Sequence, residues 1–167
     1  MADAIDIAGL TDSAAVIAST GLSTRGDVRH ETVVEMDLES DLLLALAVKV
    51  PTYERITAEG LEPTATPEQQ IRLRALKNYA KWLCAAIFVS RWLSIMQLKS
   101  DGKTRADRFD RMDLSRMQEN IVEQRGRALA TLYRMIPAED RPATRTPVPL
   151  GLSLPATDPV TDIDSGA

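Results

Sequence analysis

The sequence predicts an all-α protein: a small helical bundle around one long central helix, with extended N- and C-terminal arms. Three observations lead there. Pro67–Lys99 contains no proline or glycine after its first residue. Apolar residues recur at helical spacing on either side of it, in 37–50 and 113–136. Residues 137–167 hold six of the nine prolines and show no such spacing. The chain therefore divides into an acidic extension (1–31), a helical domain (32–136) and a Pro-rich arm (137–167).

Taken in order, the first 21 residues are small and acidic. Thr11 or Asp12 can cap a short helix through Ser13–Ser19, with Gly21 ending it. Two turns are marginal unless docked on something. Arg25–Asp37 alternates only partly and is read as irregular or short strand. Asp37–Lys49 carries Leu38, Leu42, Leu43, Leu46 and then Val50 at helical spacing, with Asp37, Glu39 and Asp41 favouring its N-terminal end and Pro51 stopping it. Tyr53–Gly60 adds a turn before a loop that contains Pro63.

The long helix has a legible start. Thr66 and Gln69 form a capping box, and Pro67 takes the first helical position, where a missing N–H costs nothing. Leu76, Tyr79, Leu83, Ala86 and Ile87 make its core stripe. The opposite face carries Lys77 and Lys81 and continues through Cys84 and Phe88 to Arg91. From Trp82 to Val89 the sequence is apolar all the way round. Such a segment is buried either within the chain's own fold or between chains. A chain of 167 residues with unstructured-looking ends favours the second, so Lys81, Phe88, Arg91 and Trp92 are expected at a subunit interface.

After a stop at Ser100–Gly102 come three triplets of Arg, an apolar residue and Asp, spanning Arg105–Asp113. Their charges cancel too evenly for a nucleic-acid stripe. Arg105, Arg108 and Arg111 suit a self-paired surface or a ladder facing a neighbour. Asp113 can cap a last helix to Ile136, which Pro137 ends; Gly126 inside it is either a close helix approach or a tolerated cost. In the arm, Pro149, Leu150, Leu152, Leu154 and Pro155 set three leucines at period two, a pattern that suits strand addition to a partner. A free tail is the plain alternative.

Charge is strongly segregated beneath a net of −4. Residues 1–66 hold 4 bases and 12 acids, while residues 67–136 hold 14 bases and 7 acids. Oppositely charged parts can pack head-to-tail between copies, or simply be solvated faces. The chemistry inventory is short. His30 is the single histidine and lies in a polar stretch, and Cys84 is the single cysteine, which excludes an internal disulfide. Asp37, Glu39 and Asp41 lack the Gly and trailing Glu of a calcium loop. Ser153 lacks the flanking glycines of a nucleophile elbow. No enzyme, cofactor or metal is expected. No span is long enough between charges to cross a membrane, and the acidic N-terminus is unlike a secretory signal. These features predict a soluble protein of a reducing compartment.

The order of a short helix leading to VPTYERI, a loop, a long alanine- and aromatic-rich helix, SDGKTRADRFD and a last helix resembles tailed-bacteriophage head-to-tail connector (adaptor, head-completion) proteins. The likeness covers Thr32 to Met135 and rests mainly on Ala80 to Phe109. It implies a structural subunit of the virion neck, assembled in the host cytoplasm as a homo-oligomeric ring, commonly a dodecamer. Its partners would be further copies of itself, the portal protein and a neck or tail protein below. Its helices would line a passage for genome DNA without gripping it, which balanced Arg–Asp triplets suit. The acidic extension and the Pro-rich arm depart from that pattern. Two other readings stand beside it: a helical DNA-packaging or regulatory DNA-binding module, and a cytosolic virion-assembly chaperone.

Overall fold

A computed structural model describes residues 4–21, 37–99 and 111–142. These form a two-stranded hairpin (β1, Asp6–Ile7; β2, Thr11–Asp12) followed by α1 (Ser13–Thr20), α2 (Leu38–Lys49), α3 (Tyr53–Leu61), α4 (Pro67–Lys99) and α5 (Arg111–Met135). A 3-10 turn at Ala138–Asp140 closes the described part. The architecture is mostly helical and is organised around α4, as the sequence predicts. At about 1.5 Å per residue α4 is roughly 50 Å long, and it packs against every other helix.

The capping box is present. The Thr66 backbone N–H donates to Gln69 Oε1 (2.8 Å), and the Gln69 N–H donates to Thr66 Oγ1 (3.3 Å). Asp12, and not Thr11, caps α1: its carboxylate accepts from the Ala15 N–H at 2.7 Å. Gly21 ends the helix at φ 71°, where glycine is at ease. Short as it is, α1 is docked, with Val16 and Ile17 buried against α4.

Residues 4–21 differ from expectation. Read as part of an extension outside the domain, they instead belong to its core, to which Ile7, Leu10, Val16 and Ile17 contribute. The hairpin pairs Asp6 with Asp12 and Ile7 with Thr11. Its turn passes through Ala8 (φ 55°) and Gly9 (φ 66°), and the Gly9 N–H donates to Asp6 Oδ2 at 2.8 Å. Ser13 locks the hairpin to α1: its Oγ accepts from the Ile5 N–H, and its own N–H donates to the Ile5 carbonyl, both at 2.8 Å.

This added mass explains the all-round apolar segment of α4. Leu83, Cys84, Ala85, Phe88 and Val89 are buried in one core with residues of α1, α2, α3 and α5 of the same chain. Each fully buried Leu or Phe contributes about 1.5–3 kcal/mol. The chain thus buries these residues itself, and no neighbour is needed to cover them.

Two other differences are local. α5 begins at Arg111, so Asp113 lies inside it and is not its cap; nothing in the Arg–Met–Asp triplet breaks a helix. Around Gly126 a Cβ would meet nothing within 4 Å, so it marks no close approach. The close approach is at Gly60 of α3, which lies directly over Leu73 of α4.

Candidate subunit interface

The expected interface residues do not form one surface. Phe88 is 0% exposed and Trp92 is buried, both inside the chain's own core, so neither is open to a neighbour. The inference failed because helical spacing identifies a buried face without identifying what buries it. Arg91, half-buried, forms an ion pair with Asp41, tying α4 to the start of α2. Lys81 is half-buried, with its ammonium 5.0 Å from the centroid of the adjacent Trp82 ring. Arg111 opens α5. Arg105, Arg108, His30 and the arm residues Pro149, Leu150, Leu152 and Leu154 lie outside the described residues.

What the fold leaves open is different. α2 buries Leu38, Leu42 and Leu46. Its opposite face, which repeats every three to four residues as a helix requires, consists of Ser40, Leu44, Ala47 and Val48, all exposed and none charged. Leu44 is 68% and Val48 62% exposed. Read only for its inward stripe, the Leu-rich run hid this outward one, although Leu44 and Val48 stand four residues apart in the sequence.

A second opening lies between α4 and α5. It is a groove of about 300 Å³ whose α4 wall is Ala86, Val89 and Ser90. Its α5 wall is Gln118, Ile121 and Val122, with Arg125 at one end. Val122 on its rim is 53% exposed. Arg125 has no ion-pair partner among the described residues.

Other polar contacts hold the frame around these openings. The Tyr133 hydroxyl donates to the Lys49 carbonyl at 2.7 Å, joining α5 to the C-terminal end of α2. Arg55 of α3 pairs with Asp140 in the 3-10 turn, and the Arg141 guanidinium donates to the Ile136 carbonyl (3.2 and 3.3 Å). Together these anchor the chain just past α5. Burial pushes the Tyr79 and Tyr133 phenols above their ordinary range, and pushes the Cys84 thiol up to about 12. A thiol held neutral in apolar surroundings is a core side chain and a poor nucleophile.

No helix among the described residues is long and apolar enough to cross a membrane. Among the same residues no group of three or more His, Cys, Asp or Glu side chains is placed to hold a metal ion. Comparison with protein families, curated proteins and solved structures returns no match for this chain.

Proposed function

We propose that this chain is a structural subunit of a virion neck, forming a ring adaptor between the capsid portal and the tail through which genome DNA passes. One observation carries the reading. The helix order that resembles the connector proteins corresponds to α2 leading through VPTYERI into α3, then the capped α4, SDGKTRADRFD and α5. The buried Cys84 and the open apolar surfaces speak for a role in assembly over one in chemistry. The portal would be met by a terminal arm, for which Pro149, Leu150, Leu152 and Leu154 are the candidate contacts. A further neck or tail protein would sit below the ring.

The basic excess of residues 67–136 favours a second reading, a helical DNA-binding module for packaging or regulation. Sedimentation of the purified chain, alone and with isolated portal, separates the two. A neck adaptor associates with portal and binds duplex DNA weakly, with little salt dependence. A DNA-binding module ignores portal and binds duplex with an affinity that falls steeply as salt rises. A chain that does neither removes both readings.

A further inference from the structure

We draw no further inference here: the strongest candidate, the apolar groove between α4 and α5 walled by Ala86, Val89, Ile121 and Val122, carries nothing, because nothing in the structure shows what covers it.

Discussion

Replacing Gly60 with alanine should destabilise the protein, while the same change at Gly126 should stabilise it. Both glycines lie within helices, where alanine is favoured over glycine by about 1 kcal/mol. At Gly126 nothing opposes that gain, because a Cβ there meets no atom within 4 Å. At Gly60 the new Cβ would stand 2.6 Å from the Leu73 Cβ and 2.9 Å from its Cδ2. Carbon atoms rest about 3.5–4.0 Å apart. The Leu73 Cβ is fixed to the α4 backbone and cannot swing aside, so α3 and α4 must separate by about 1 Å. Overpacking of this kind costs about 1–3 kcal/mol. Gly60 is also the last residue but one of α3, so it collects only part of the propensity gain. The expected net is a loss of about 1–2 kcal/mol for Gly60→Ala and a gain of about 0.5–1 kcal/mol for Gly126→Ala. For a domain of about 100 residues, each kcal/mol moves Tm by roughly 4–8 °C. Urea denaturation of the two variants beside wild type reads both signs in one experiment. A Gly60→Ala protein as stable as wild type would refute the close approach of α3 to α4.

Three further outcomes follow from the core and its frame. Phe88→Ala should cost about 3–5 kcal/mol, and Phe88→Asp should unfold the domain; a folded Phe88→Asp protein that merely fails to assemble would return Phe88 to an interface. The Cys84 thiol should resist a disulfide reagent in the native state at pH 8 and react fully in urea. Because burial raises its pKa from 9.0 to about 12, the folded state binds this proton more tightly than the unfolded chain, so its contribution to stability is complete below pH 9 and declines as pH rises towards 12. Tyr133→Phe should cost about 0.5–1.5 kcal/mol by leaving the Lys49 carbonyl without its donor, measured by the same urea assay; no change would mean that water replaces the hydroxyl there.

Local signals were legible in the sequence and distant ones were not. The Thr66–Gln69 box, the Asp12 cap, the Gly21 stop and the extent of α4 each depend on residues a few positions apart, and each is found in the structure. The hairpin was not legible. Its turn sets Ala8 in the left-handed region, which a non-glycine residue rarely adopts. Missing it left Ile7, Leu10, Val16 and Ile17 out of the core, and that omission sent the apolar Trp82–Val89 segment to an imagined neighbour. In the Leu42–Leu43–Leu44 run the sequence offers an apolar residue at every angle, so the inward stripe was clear and the outward ridge was masked. The groove could not be read at all, since Val89 and Val122 come together only when α4 and α5 pack.

The central claim is a place in the virion neck, and electron microscopy tests it most directly. Purified chain would be added to portal-bearing heads that lack it, and the portal vertex reconstructed with and without the addition. A new ring of helical density is expected on the outer side of the portal. A portal vertex unchanged at saturating protein would contradict it.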